Sequence, residues 1–293
     1  MRILITGAAG MLGHDVRRVA ERAGHELVLV DLPELDITDA AAVEAFFASE
    51  RPEASINCAA WTDVDGAETK QPQAHAVNAD GAGNLARAAT AIDTPLLHLS
   101  TDYVFDGTPP LDAEHRPRPY VESDPTGPRS VYGSTKLDGE RQVLAASREH
   151  CVVRTAWLYG IDGPNFVSTM LRLAGERDAV QVVDDQVGSP TWSGHLAPAV
   201  IGLLERQVSG LVHLTGAGRV SWNGFAREIF RQAELSCSVE PATSEQIARP
   251  APRPAWSALE SEREDVLPMP PWQDGLAGYL AARNGILRTD EGE

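Results

Sequence analysis

Short apolar runs alternate with longer segments of helical periodicity along the first half of the chain. The apolar runs predict strands at 3–5, 26–30, 54–57, 95–99 and 151–154. The segments between them predict helices at 11–23, 40–49, 75–92 and 131–147. Strands that alternate with helices indicate a parallel sheet covered on both faces. We therefore predict an α/β fold built on a doubly wound parallel sheet of the Rossmann type.

The alternation weakens beyond residue 156, where helices and short strands are mixed. The pattern there predicts helices at 165–175, 193–207, 222–234 and 272–283, and strands at 180–183 and 210–214. We expect a dinucleotide-binding domain of residues 1–156 plus about 193–215. A smaller α/β substrate-binding domain, interwoven with it, would comprise about 157–192 and 216–293. The proline-rich segment 106–130 is predicted to be a loop, of a length usually associated with function.

Composition narrows the classes of partner. Among 293 residues, 42 acidic side chains outnumber 25 basic ones and give a net charge of −17, which disfavours binding to nucleic acid or an anionic membrane. The three cysteines form no CxxC pair, and the eight histidines form no metal-binding pair, so neither a disulfide framework nor a metal site is predicted. The chain begins on a strand without a long apolar leader, so we expect a cytoplasmic protein.

A glycine motif follows the first predicted strand. Gly7, Gly10 and Gly13 are spaced three apart at the start of the first helix. Glycines there permit a tight turn and let backbone N–H groups approach a pyrophosphate. Asp31 ends the second strand, where a carboxylate can accept hydrogen bonds from ribose hydroxyls and repel a 2′-phosphate. The motif predicts NADH or NADPH as cofactor, and Asp31 favours NADH.

Three side chains predict a carbonyl-reducing site. Tyr132 and Lys136 share one face of a predicted helix, and a nearby ammonium would lower the pKa of a phenol toward the range useful for proton transfer. Thr101 follows the fourth strand, where its hydroxyl could hold a carbonyl oxygen beside the tyrosine. A structural alternative for Thr101 is that its hydroxyl caps a turn. The corresponding alternative for Trp157 is that its ring packs in the core between the domains.

Stretches that cover nearly the whole chain carry a family resemblance. They are residues 6–13, 57–60, 62–68, 100–107, 131–140, 154–159, 185–191 and 253–257. They resemble the extended short-chain dehydrogenases/reductases and, within that superfamily, the dTDP-4-dehydrorhamnose reductase family. The resemblance implies reduction of the C4 carbonyl of dTDP-4-dehydro-L-rhamnose to dTDP-L-rhamnose, with a hydride from the nicotinamide.

The resemblance also implies roles for individual residues. Tyr132 would donate the proton, with Lys136 and Thr101 completing the triad. Substrate contacts would come from Thr101, Asp102 and Trp157. The cofactor would be lined by Gly10, Met11, Leu12, Asp31, Asp36, Ile37, Ala59, Ala60 and Trp61, beside Tyr132 and Lys136. The chain departs from the family pattern at Trp61, at Gly66, at Ser130 and in a longer loop at 107–120.

Other interpretations stay open at this point. Related nucleotide-sugar dehydratases have Thr-Asp-Glu at the positions of Thr101, Asp102 and Tyr103, and their glutamate removes a proton next to the carbonyl. A tyrosine is a poor base at neutral pH, so Tyr103 argues against dehydration. A 4-ketoreductase for another nucleotide-activated deoxysugar and a non-catalytic regulatory homologue are further alternatives. Some relatives dimerise through a carboxylate-bound magnesium ion, but no residue here matches such a ligand set. A homodimer is therefore left open, and Mg²⁺ is unsupported.

Overall fold

The computed structural model describes residues 1–290 of the chain. Its strands are β1 (Arg2–Thr6), β2 (Glu26–Val30), β3 (Ala54–Asn57), β4 (Leu96–Thr101), β5 (Cys151–Thr155), β6 (Leu158–Tyr159), β7 (Ala179–Val183), β8 (Val187–Gly188), β9 (Thr191–Trp192), β10 (Gly210–His213), β11 (Val220–Ser221) and β12 (Ser238–Ala242). Its helices are α1 (Met11–Arg22), α2 (Ala40–Glu50), α3 (Val64–Thr69), α4 (Gln71–His75), α5 (Ala82–Ala91), α6 (Val131–Ala146), α7 (Phe166–Ala174), α8 (Ser193–Glu205), α9 (Trp222–Gln232) and α10 (Trp272–Asp290). A π-helical turn, Ala76–Gly81, joins α4 to α5, and a 3₁₀ turn, Asp102–Val104, follows β4.

Six strands form one parallel sheet in the order β10-β5-β4-β3-β1-β2. The order reverses between β1 and β3, because the chain passes from β1 to β2 on one side and returns to β3 on the other. In open α/β sheets such a switch point, at the carboxyl ends of the strands, is where ligands bind. The sheet confirms the predicted fold class.

The sheet has an apolar core on each face. Ile3 and Ile5 face α1 and α8, whereas Leu4 between them faces α2, α5 and α6. The same alternation separates Val153 from Val152 on β5. Successive side chains of a strand point to opposite faces, so strands that are buried on both sides need continuous apolar runs. This requirement is why short apolar runs identify the strands of this sheet.

Side chains cap several of the helices that cover the sheet. The Asp39 carboxylate accepts hydrogen bonds from the first turn of α2, and the Ser130 hydroxyl accepts one from Gly133 in α6. Helix α1 differs, because Gly10 precedes it and offers no side-chain cap. The N-terminal N–H groups of α1 therefore remain available to another acceptor.

The C-terminal part has a separate core. Strands β7 and β12 form a parallel pair, and α7, α9 and α10 contribute Met170, Phe225, Ile229 and Leu276 to one apolar cluster. Segment 193–213 belongs with the large sheet, because α8 packs on α1 and β10 pairs with β5. The division into two domains at the expected residues stays a prediction.

Several elements differ from the sequence-based expectation. The short helix α3 and the strand β12, which contains Pro241, were not predicted, and α10 extends past the expected end at residue 283. Segment 106–130 forms no helix, as expected, and its residues Leu111 and Pro117 make an isolated bridge.

A buried ion pair joins α6 to β5 below the carboxyl edge of the sheet. The Arg154 guanidinium makes a two-pronged contact with the Glu140 carboxylate, with Nη2 2.7 Å from Oε2 and Nε 2.9 Å from Oε1. The Ser100 hydroxyl donates to the same carboxylate, and the His213 imidazole lies 3.4 Å from Arg154 Nη1. Both charged side chains are almost fully buried, so each charge has lost its contact with water and is stabilised by the opposite charge of its partner.

Arg154→Met should lower the free energy of unfolding by about 3 kcal/mol, because it leaves Glu140 buried without its cation. Chemical denaturation measures this change. Arg172→Met is the matched control, since Arg172 pairs with Glu176 on the surface and such pairs contribute about 0.5 kcal/mol. Equal losses in the two variants would contradict the structural role of the buried pair.

Candidate active site

A cleft of about 1220 Å³ opens at the carboxyl edge of the large sheet, beside the switch point. The structure brings every predicted site residue into its lining. These are Gly7, Gly10, Met11, Leu12, Gly13, Asp31, Asp36, Ile37, Ala59, Ala60, Trp61, Thr101, Asp102, Tyr132, Lys136 and Trp157. Residues far apart in sequence meet here because parallel strands all end at the same edge.

The glycine-rich turn leaves no space for side chains. Gly7 has φ of +67°, and a Cβ there would lie 2.5 Å from the backbone nitrogen of Ala59. A Cβ on Gly13 would overlap the carbonyl oxygen of Gly7. The turn therefore presents backbone and the uncapped start of α1 to the cleft. This cradle fits the pyrophosphate of a dinucleotide.

Asp31 lies at the end of β2 beside this turn. Its two carboxylate oxygens accept hydrogen bonds from the backbone N–H groups of Ala9, at 3.0 Å, and Leu32, at 2.9 Å. The Asp36 carboxylate accepts hydrogen bonds from the backbone N–H and the hydroxyl of Thr38. The buried side chain of Ile37 packs against the π-helical turn at Gly81. The carboxylate of Asp31 is thus held in one orientation at the cleft.

Thr101, Asp102 and Tyr132 lie together. Thr101 Oγ1 donates to Asp102 Oδ1 at 3.0 Å and accepts from the backbone N–H of Tyr103 at 3.2 Å, so this hydroxyl does cap the 3₁₀ turn. Asp102 is 2% exposed, and neither its Oδ2 nor the nearby buried hydroxyl of Ser257 meets the geometric criteria for a hydrogen bond within residues 1–290. Burial raises the pKa of Asp102 to about 6, against the opposing effect of the Ser257 and Thr101 hydroxyls. A buried oxygen without a partner is suited to binding a polar group of a ligand.

Lys136 is oriented differently from the sequence-based expectation. Its Nζ donates to the carbonyl oxygen of Leu99 at 2.6 Å and lies 3.2 Å from Nε2 of His98. Burial lowers the pKa of Lys136 to about 8. The pKa of Tyr132 is raised to about 12 by burial, against the opposing effect of the Thr101 hydroxyl, and Lys136 is not among the groups that shift it. The expected lowering of the phenol pKa is therefore absent in this arrangement, because the amine is bound to β4.

Trp157 lies in the cleft wall and also packs against another tryptophan. Its ring stacks on that of Trp222 with a centroid separation of 3.5 Å and an angle of 4°. Its edge lies so close to Gly188 that a Cβ at that position would overlap the indole. One face of Trp157 is thus covered by protein. The predicted substrate contact of this ring stays a prediction.

The cleft also contains residues to which no role was assigned from sequence. Thr155 ends β5 opposite Thr101 on β4, and its hydroxyl has no partner within the described residues. The parallel ends of the two strands could have identified it. Trp222 could not have been found, because no periodicity links it to Trp157, 65 positions earlier.

Residues 1–290 contain neither a cluster of metal ligands nor a membrane-spanning helix. No cluster of three or more His, Cys, Asp or Glu side chains in that range could hold a metal ion. Across the same residues, every helix is too short or too polar to span a membrane.

Comparisons with known proteins find relatives that match nearly the whole chain. Residues 1–284 match the family described as RmlD substrate binding domain. The dTDP-4-dehydrorhamnose reductase of Streptomyces griseus is 46% identical over 97% of this chain and 94% of that protein. The dTDP-4-keto-6-deoxy-D-glucose reductase of Streptomyces niveus is 41% identical over 99% of each. The crystal structure of the dTDP-4-dehydrorhamnose reductase of Bacillus anthracis, in complex with NADP, superimposes with a TM-score of 0.91, at 36% identity over 96% of this chain and 99% of that one.

Gly13→Ala should abolish dinucleotide binding, because the added methyl group would displace the Gly7 carbonyl and distort the turn. Titration of reduced-cofactor fluorescence measures binding. Gly202→Ala is the matched control, since a Cβ at that helical glycine meets nothing within 4 Å and alanine favours a helix. Unchanged binding in Gly13→Ala would show that the turn does not form the cofactor site.

Proposed function

Because the chain belongs to the dTDP-4-dehydrorhamnose reductase family, we propose that it reduces the C4 carbonyl of dTDP-4-dehydro-L-rhamnose to dTDP-L-rhamnose. The observation that carries the proposal is the meeting of Thr101, Tyr132 and Lys136 with a glycine-rich turn in one cleft. A hydroxyl, a phenol and an amine beside a dinucleotide cradle are the groups that carbonyl reduction requires. The predicted homodimer and cytoplasmic location stay predictions.

Some residues of the cleft bind the cofactor and the sugar, and others take part in proton transfer. The uncapped start of α1 binds the cofactor pyrophosphate, and Asp31 accepts hydrogen bonds from the adenosine ribose. A bound reduced nicotinamide supplies the hydride to the sugar carbon. Tyr132 donates its phenolic proton to the carbonyl oxygen, which the Thr101 hydroxyl orients by turning its proton from Asp102 toward the sugar. The free carboxylate oxygen of Asp102 accepts a hydrogen bond from the sugar.

The electrostatics of the site favour reduction over dehydration. A dehydratase needs a base next to the carbonyl, at the position of Tyr103. Burial raises the pKa of Tyr103 above its usual value, so its phenol stays protonated at neutral pH. Tyr103 therefore cannot remove the proton, and its ring packs edge-on against Tyr132, 5.5 Å between centroids.

A second candidate is a 4-ketoreductase for a different nucleotide-activated deoxysugar. The relative from Streptomyces niveus carries the name of such an enzyme and is nearly as similar as the rhamnose-forming relatives. The product formed from each 4-ketosugar nucleotide separates the two candidates. A non-catalytic regulatory role predicts no turnover with any of them.

The purified protein should oxidise NADH or NADPH when dTDP-4-dehydro-L-rhamnose is added. Tyr132→Phe should lower kcat roughly a hundredfold or more, the usual contribution of a positioned acid, and should leave cofactor binding intact. Tyr103→Phe, which removes a neighbouring phenol hydroxyl, is the matched control and should stay within a few-fold of the wild type. Absence of cofactor oxidation by the wild type would refute the proposed activity, and near-normal turnover in Tyr132→Phe would assign the proton to another group.

We expect NADH to be at least as good a reductant as NADPH. The carboxylate of Asp31 is fixed by two backbone N–H groups at the cleft, where a 2′-phosphate would meet its charge at close range. The kcat/KM values for both cofactors, in the wild type and in Asp31→Ala, measure the effect. Asp31→Ala should shift the ratio toward NADPH. A wild-type preference of roughly tenfold or more for NADPH, about 1.4 kcal/mol, would overturn this reading of Asp31.

A further inference from the structure

The amine of Lys136 terminates a chain of hydrogen bonds whose direction is fixed. At the far end, Asn57 Oδ1 accepts from the backbone N–H of Ala59 at 2.9 Å and from the hydroxyl of Thr6 at 2.8 Å. A backbone N–H can only donate, so the amide oxygen of Asn57 must be the atom that faces it. The amide NH₂ group of Asn57 therefore faces His98, with Nδ2 2.9 Å from Nδ1.

This donor determines the tautomer of His98. The ring is 1% exposed, and burial keeps its pKa well below the usual range, so the imidazole is neutral. Because Nδ1 accepts from Asn57, the single ring proton lies on Nε2. Nε2 is 3.2 Å from Nζ of Lys136. An ammonium at that position has no lone pair to accept from the Nε2–H of His98, so two donors would face each other. A neutral amine can accept from the Nε2–H and still donate to the carbonyl oxygen of Leu99.

We propose that His98 is a positioning residue for Lys136, whose charged form it disfavours, through the tautomer fixed by Asn57, as long as no cofactor is bound. The proposal rests on the proposed function only in taking Lys136 as part of the reductase site. The Asn57–His98–Lys136 relay lies on β3, β4 and α6, and the parallel register places Asn57 beside His98.

The other groups that face Lys136 do not stabilise an ammonium strongly. Glu140, one turn later on α6, is already paired with Arg154. Cys58, after β3, has its pKa raised to about 12 by burial and is a neutral thiol. Tyr132, one turn earlier on α6, is a neutral phenol. A burial-lowered pKa of about 8 for Lys136 agrees with this setting.

Cofactor binding would then change the charge of Lys136 above about pH 8. Ribose hydroxyls can accept hydrogen bonds from an ammonium, so binding favours the charged form of Lys136 and raises its pKa. Above about pH 8 the ammonium would form only with the cofactor in place, and it would then lower the pKa of Tyr132 for proton transfer. The Lys136 amine is charged in the complex over a pH range where it is neutral in the free enzyme, so cofactor binding takes up a proton in that range. Affinity should be constant below about pH 8 and fall by up to roughly tenfold per pH unit above it.

Nitrogen NMR of the cofactor-free wild type, labelled with ¹⁵N-histidine, tests the tautomer directly. His98→Gln identifies the His98 signals by their loss. We expect a neutral ring at pH 7 with the proton on Nε2. A proton on Nδ1, or a charged ring, would overturn the proposal.

A variant that reverses the direction of these hydrogen bonds tests the expected pH dependence of cofactor affinity. Asn57→Asp keeps the acceptor for Ala59 and Thr6 but faces His98 with an acceptor, which moves the ring proton to Nδ1 and leaves Nε2 free to accept from an ammonium. The pH at which affinity for reduced cofactor begins to fall, measured by fluorescence titration, should rise by about one unit or more. Lys136→Met should remove this pH dependence.

An unchanged midpoint in Asn57→Asp, or a retained pH dependence in Lys136→Met, would refute the relay. If Asn57→Asp does not fold, which a thermal melt shows, the wild-type NMR result decides. Neither readout uses the sugar nucleotide. Failure of the proposed reductase activity would therefore appear as missing turnover, with the tautomer and the binding profile unaffected.

Discussion

The parallel register of the large sheet is the constraint on which the rest of this structure depends. It sets Thr6 beside Asn57, Asn57 beside His98, and Thr101 beside Thr155, so that polar ends of four strands share one edge. A parallel sheet requires a crossover helix after each strand, and the helix after β1 starts at this edge without a cap of its own. A dinucleotide cradle and a set of hydroxyl, amide and imidazole groups therefore lie next to each other.

Burial is the largest cause of every pKa shift at the centre of the site. It raises the pKa of Asp102 and of Tyr132 and lowers that of Lys136. In each case burial disfavours the charged form. The phenol of Tyr132 stays neutral near pH 7, whereas Asp102 and Lys136, with pKa values of about 6 and about 8, both keep most of their charge there. A ligand that hydrogen-bonds to either charged group would stabilise that charge, so binding and protonation are linked in this cleft.

The sequence was sufficient for the features that follow from local pattern. Apolar runs buried on both faces, such as the one around Leu4, gave the strands of the sheet, and the three-residue spacing of glycines gave the turn before α1. The positions of Tyr132 and Lys136 on one helix face also followed from spacing alone.

Features that depend on distant contacts could not be predicted. The position of the Lys136 amine is set by Leu99 and His98 on another element, so helical spacing did not reveal that the amine binds β4. The pairing of Trp157 with Trp222 needs the C-terminal core to bring α9 to the cleft. Strand β12 is short and contains Pro241, and only its pairing with β7 identifies it.

The central claim is that this cleft delivers a hydride to C4 of a 4-ketosugar nucleotide. The most direct measurement uses reduced cofactor that carries deuterium on the transferring carbon of the nicotinamide, together with dTDP-4-dehydro-L-rhamnose, and examines the product by NMR. The account predicts dTDP-L-rhamnose with deuterium at C4 of the sugar. Recovery of unchanged ketosugar, or a product without deuterium at C4, would contradict it.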